Sequence, residues 1–186
     1  YDEIVVGESF GASLTVTDRP SPVEVERQPL SPQPDLTAAA HLCTRLGRVL
    51  DTREVPPLLE DAARILDAVG LIVWVWEPSH AALTPVLAHG YSDPVLAQLP
   101  RVVRDADNAI AAAFRSAEMR IVNSIDLVTG AVVAPVMAPS RCIGVLALEL
   151  RRGGEQHESV RALATILAAQ LAALVGSVPL AEAVNA

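Results

Sequence analysis

The sequence predicts an α+β domain built on an antiparallel sheet, and three observations lead there. Before Gly70, apolar residues recur at three- and four-residue steps through two successive runs, the period of helices buried on one side. From Gly70 onward the period falls to two, and the residues become β-branched and aromatic, as strands require. Over residues 155–175 the helical period returns in one long run.

Residues 1–34 read as an N-terminal extension. Within it "DEIVVGESFGASLTVTD" holds two short β-prone runs around Gly7 and Gly11, which form either a hairpin or a disordered tail. The stretch "RPSPVEVERQPLSPQP" has five prolines in sixteen residues, a density that blocks ladder and helix hydrogen bonds and favours an extended linker. A domain spanning 35–175 follows it, and residues 176–186 form a C-terminal tail.

Inside the domain, "DLTAAAHLCTRLGRVLD" sets Leu36, Ala39, Leu42, Cys43, Leu46, Val49 and Leu50 at helical spacing, with Asp35 as N-cap. "VPPLLEDAARILDAVG" opens on prolines that a first helical turn tolerates, and its C-cap is expected at Gly70. "LIVWVW", ended by Glu77-Pro78, and "LTPVLAHGY" read as an antiparallel hairpin; a first strand apolar on both faces must be covered on both. Next come a short helical piece over 93–99, a loop "PRVVRDAD", and a helix "NAIAAAFRSA" expected to start from Asp105 or Asp107. "MRIV", "AVVAPVM" and "RCIGVLALEL" supply the remaining strands, and "RRGGEQHE" turns into the closing helix. That helix aligns Val160, Leu163, Leu167, Leu171 and Leu174 in a stripe that suits a partner helix, its own sheet, or both.

Composition narrows the function. With 186 residues, 51% hydrophobic, and a mean hydropathy of +0.36, the chain has material for one compact domain and is no disordered polymer. Its longest apolar run, 162–175, is broken by Thr165 and Gln170, short of the roughly 20 residues of a membrane span. The chain opens with neither an initiator Met nor a basic-then-apolar leader, so a soluble, cytoplasmic protein or a piece of a longer one is expected. A net charge of −8 and the lack of clustered cations beyond Arg151-Arg152 argue against nucleic acid as a partner. All fourteen basic residues are Arg, which removes lysine Schiff-base chemistry and the lysine of a phosphate loop. Cys43 and Cys142 make neither a disulfide scaffold nor a metal cluster, and the histidines at 41, 80, 89 and 157 lack metal-ligand spacing. Neither a Gly-rich phosphate loop nor a serine elbow is present, and Glu149 in "LALEL" is expected at an exposed strand edge.

The order of elements over residues 36–175 resembles a GAF domain. The residues that carry the resemblance are "VGLIVWVWEP" in the first strand, "LAHGY" closing the second, "RSAEMRIVN" at a helix-to-strand step, and "AVVAPVMAPSRCIGVLALEL" in the last hairpin with Pro135 and Gly144. The resemblance implies a PAS-related sheet of five to six strands, with the terminal helices on one face and a pocket roofed by short helices on the other. It also implies a small-molecule sensory or regulatory role, dimerisation, and signalling to other domains of the same chain. Ser124 stands where the family usually has an Asp.

On this frame Leu71, Val73 and Val75 face the helices, while Gly70, Ile72, Trp74 and Trp76 face the pocket, the alternation being that of any strand. Trp74 and Trp76 either line a ligand pocket or fill it themselves, two uses open to a large ring with an N–H donor. His89 and Tyr91 are expected at the rim, Arg104 and Asn108 at the helix start, Ile110 and Phe114 in the roof, and Asn123 at the pocket edge. A dimer seam is expected along Leu36, Cys43, Leu50, Val160, Leu163, Leu167, Leu171 and Leu174. Cyclic-nucleotide-binding members use a signature containing Lys, which this chain lacks. Neither cysteine is well placed to attach a tetrapyrrole or to run the thiol exchange of a free methionine sulfoxide reductase. The expectation is a non-enzymatic bacterial sensor domain with no cofactor and no metal. Its ligand is an unidentified small molecule, and neither membrane nor nucleic acid is among its partners. The alternatives are a ligand-free dimerisation module with an aromatic-filled core, a thiol-dependent reductase, and the effector half of a transcription regulator.

Overall fold

The computed structural model describes residues 33–123, 129–151 and 153–177. The hairpin-or-tail reading of the extension, the C-terminal tail from 178, and Ser124 lie outside the described residues. The elements run α1 (Leu36–Leu46), α2 (Val55–Leu66), β1 (Ala68–Glu77), β2 (Ala82–His89), α3 (Asp93–Gln98), β3 (Val102–Val103), α4 (Ala109–Ser116), β4 (Arg120–Val122), β5 (Thr129–Ala138), β6 (Arg141–Arg151) and α5 (Glu158–Ser177). The six strands form one antiparallel sheet in the order β3-β2-β1-β6-β5-β4.

Local chemistry sets the boundaries. Asp35 caps α1 as expected, its Oδ1 accepting from the backbone N–H of Thr37 at 2.8 Å and of Ala38 at 3.2 Å. Helix α2 ends earlier than Gly70: Asp67 takes the left-handed C-cap conformation at φ 51°, and Gly70 lies inside β1. Helix α4 starts from Asn108, whose side chain accepts from the Ala111 N–H at 2.9 Å, and not from Asp105 or Asp107. Two residues of the expected loop "PRVVRDAD" form the edge strand β3 against Ala82 and Leu83.

The sheet separates two cores. On one face, α1, α2 and α5 pack Leu42, Leu46, Leu58, Leu167 and Leu171 against Leu71, Val73, Val75, Leu146 and Leu148. On the other, α4 lays Ile110, Ala111, Ala113 and Phe114 over Ile72, Trp74, Val133, Val145 and Ala147. The two-residue alternation of β1 therefore splits as the sequence reading assigns it.

The α5 stripe is resolved by the same packing. Val160, Leu163, Leu167 and Leu171 are buried against their own sheet and helices, so they are core residues of the single chain and not a seam open to a second copy. Only Leu174, half-buried, and the α1-side Cys43, Leu36 and Leu50 keep exposure from that set, with Leu36 at 74% and Leu50 at 98%. By length and composition alone, residues 158–176 of α5 are apolar enough to cross a membrane; in the fold their buried side completes the core.

Candidate functional site

The α4 face is built from registered rows of side chains. Pairing sets Trp74 beside Val145, and Ile72 beside Ala147, which in turn neighbours Val133 and then Arg120. A third row runs Gly70, Glu149, Ala131 and Val122. Directly paired residues of an antiparallel ladder share a face, so Arg120 and Glu149 belong to the α4 side together with Trp74.

The two tryptophans behave differently. The Trp76 ring stacks on Phe114 with centroids 5.0 Å apart and planes 20° from parallel, so this ring fills space under α4. Trp74 is only 3% exposed, and its Nε1 is a buried donor with no acceptor among the described residues. Leaving such a group unpaired costs roughly 1–3 kcal/mol, which makes it the exception that asks for an explanation.

A polar pair closes the other end of the face. Because Gly70 has no side chain, the Tyr91 ring settles on it; a Cβ there would stand 2.6 Å from the ring. The Tyr91 hydroxyl donates to Glu149 Oε2 at 3.1 Å. Burial, and then the neighbouring carboxylate, push the Tyr91 pKa up from 10.0. Glu149 thus sits half-buried on an interior strand and not at the expected exposed edge, because β1 inserts beside β6.

The remaining predicted site residues scatter. Ile72, Ile110 and Phe114 are buried in the α4-face core. His89 pairs with Leu71 and so stands on the helix side, since a bulge opposite Val73 and Trp74 leaves Val86 as an extra residue and reverses the parity of β2. Arg104 is exposed, and its carbonyl accepts from Arg115 Nη1 at 2.6 Å, while the side chain of Asn108 is used in capping. Asn123 is exposed and accepts from Gln156 Nε2 at 2.6 Å, which ties the end of β4 to the turn before α5. Sequence reading missed Arg120 and Glu149 as members of this face; both are legible only once the strand order is known.

Thiol chemistry finds little support. Cys43 packs on the helix-side core and Cys142 on the α4-side core, so the sheet separates them. Burial raises both thiol pKa values, and Cys142 Sγ donates to the Gly144 carbonyl at 3.2 Å. Among the described residues, His, Cys, Asp and Glu make no group of three able to hold a metal ion.

No protein-family model matches the sequence, and a search of curated proteins finds no match. Solved structures do match. The second GAF domain, GAF-B, of DevS from Mycobacterium smegmatis is 28% identical with a TM-score of 0.52, covering 68% of this chain and 96% of that one. The GAF domain of a phosphoenolpyruvate-protein phosphotransferase from Coxiella burnetii is 14% identical with a TM-score of 0.64, covering 76% and 92%. The chain has the fold of these GAF domains. The fold is also that of the free methionine-R-sulfoxide reductase from Neisseria meningitidis, solved with its substrate, at 14% identity and a TM-score of 0.59 over 76% of this chain and 90% of that one. In this fold the helix face supplies the scaffold, and the α4 face holds the groups with chemistry to spare.

Proposed function

We propose that this GAF domain is a non-enzymatic sensory or regulatory domain that binds a small molecule on its α4 face. The observation that carries the reading is the buried Trp74 N–H, which faces that layer without an acceptor among the described residues. A ligand oxygen or ring nitrogen there turns a standing cost into a hydrogen bond. Occupancy changes the packing of α4 on the sheet and so biases the helices on the far side, which lead to other domains of a bacterial, cytoplasmic signalling protein. Likeness to GAF domains from multidomain signalling proteins supports this placement. The exposed Leu36 and Leu50 support self-association near α1, to be checked by light scattering at high concentration.

The Trp76–Phe114 stack favours a second reading, a ligand-free dimerisation module whose aromatic residues fill the layer. Thermal shifts across a metabolite panel, with native mass spectrometry of gently purified protein, separate the two. A ligand bound only to the folded state raises the melting temperature, whereas the filled module responds to none. The cysteines on opposite faces of the sheet argue against the thiol-dependent reductase reading, and a Cys142→Ser variant tests it.

A further inference from the structure

We infer that the ligand of the α4 face is an apolar carboxylic acid in its ionised form, whose carboxylate is held by Arg120 while a second acceptor takes the Trp74 N–H. This rests on the sensory reading above. Two buried donors lack an acceptor among the described residues, Trp74 Nε1 and Arg120 Nε, and both belong to the α4 side of the sheet. Arg120 pairs with Val133, a member of the α4-face core, and its Nη2 donates to Ser116 Oγ at the end of α4 at 2.9 Å. The acidic neighbour Glu118 reaches only Nη2, at 3.5 Å, and is itself mostly exposed, so the Nε–H is left to another acceptor.

The chemistry of the two donors sets the ligand class. An indole N–H and a guanidinium N–H can only donate, so a ligand that satisfies both must be rich in acceptors. A guanidinium prefers an anion as its partner, carboxylate above all. Between the two donors lie Val145, Ala147 and Val133, buried beneath α4, so a ligand reaching both donors displaces α4 from the sheet and lays an apolar body on these residues. Strands β1 and β4 are three spacings apart, about 14 Å between backbones, so a ligand reaching both donors is elongated or bicyclic and not a small ion. The positive charge of the guanidinium, which the indole N–H lacks, fixes the orientation with the anion at Arg120.

Three probes with one bicyclic body and a methoxy oxygen as acceptor at its far end test this: 6-methoxy-2-naphthoate, 6-methoxy-2-naphthamide and (6-methoxy-2-naphthyl)methylamine, titrated into the whole chain by calorimetry. The expected result is binding of the carboxylate over the amide and the amine, weakened roughly 10- to 100-fold in Arg120→Gln and again in Trp74→Phe. Arg120→Lys, which keeps the charge without the Nε donor, is expected to lie between parent and Arg120→Gln, with circular dichroism confirming that each variant folds. Equal or tighter binding of the amine or amide, or an Arg120→Gln dissociation constant within about twofold of the parent's, overturns the inference. If none of the three binds while the metabolite panel yields a ligand of another class, this inference falls and the sensory reading stands. If the panel is also silent, both fall.

Discussion

The buried hydrophobic residues of the helix-side core are Ala, Val and Leu, with Glu155 buried against Gly130 at its end, whereas the α4 side holds all four aromatic residues among those described, Trp74, Trp76, Tyr91 and Phe114. The same side holds the two buried donors that lack an acceptor among the described residues, and the Tyr91–Glu149 pair. One sheet thus serves two purposes. Aliphatic packing is non-directional and asks only for volume, so the helix side closes around a void of about 10 Å³, near the size of a single water. Aromatic and polar groups are directional, and an unmet direction is what recognition of a ligand uses.

The contrast makes graded predictions. On the helix side, Leu148→Ala at the centre of the sheet is expected to cost about 2–5 kcal/mol in urea unfolding, with no effect on ligand selectivity. On the α4 side, Phe114→Leu removes the stack on Trp76 and is expected to cost about 1–2 kcal/mol while altering probe affinity. If the helix-side substitution changed selectivity and Phe114→Leu did not, the division of labour would be reversed.

Tyr91→Phe is expected to cost about 1 kcal/mol at neutral pH through the lost hydrogen bond to Glu149. The pH dependence has a definite sign. In the unfolded chain Tyr91 ionises near 10.0, while in the fold its pKa is raised, so its stabilisation is intact below pH 10.0 and is lost as the pH climbs above it. Unfolding curves of parent and variant should therefore converge on the alkaline side; parallel curves would remove Tyr91 from the account. The smallest change is expected for Leu50→Ser at the 98% exposed position, within about 0.5 kcal/mol of the parent, though with weaker self-association by light scattering.

These differences trace what a sequence can and cannot carry. The faces of β1 are legible because alternation is a local property, and the Asp35 cap because its chemistry is contained in three residues. His89 was out of reach for a physical reason: the extra Val86 reverses the parity of β2, and a bulge depends on the partner strand. Glu149 and Arg120 join the α4 face only because β6 lies between β1 and β5 and β4 beside β5, a long-range order with no local signal. The stripe on α5 has the spacing of a partner-seeking helix, yet periodicity does not distinguish a second copy from the chain's own sheet. The unpaired state of Trp74 is likewise tertiary, since a donor is orphaned by everything packed around it.

The most direct test is the indole region of a ¹H–¹⁵N spectrum, where a chain with two tryptophans gives two signals, assigned with a Trp76→Phe variant. Saturation with 6-methoxy-2-naphthoate, or with whichever ligand the metabolite panel selects, should move the Trp74 indole N–H downfield as it gains an acceptor. A Trp74 signal unmoved at saturation, with bound ligand confirmed by calorimetry, would contradict the claim that the α4 face recognises its ligand through that donor.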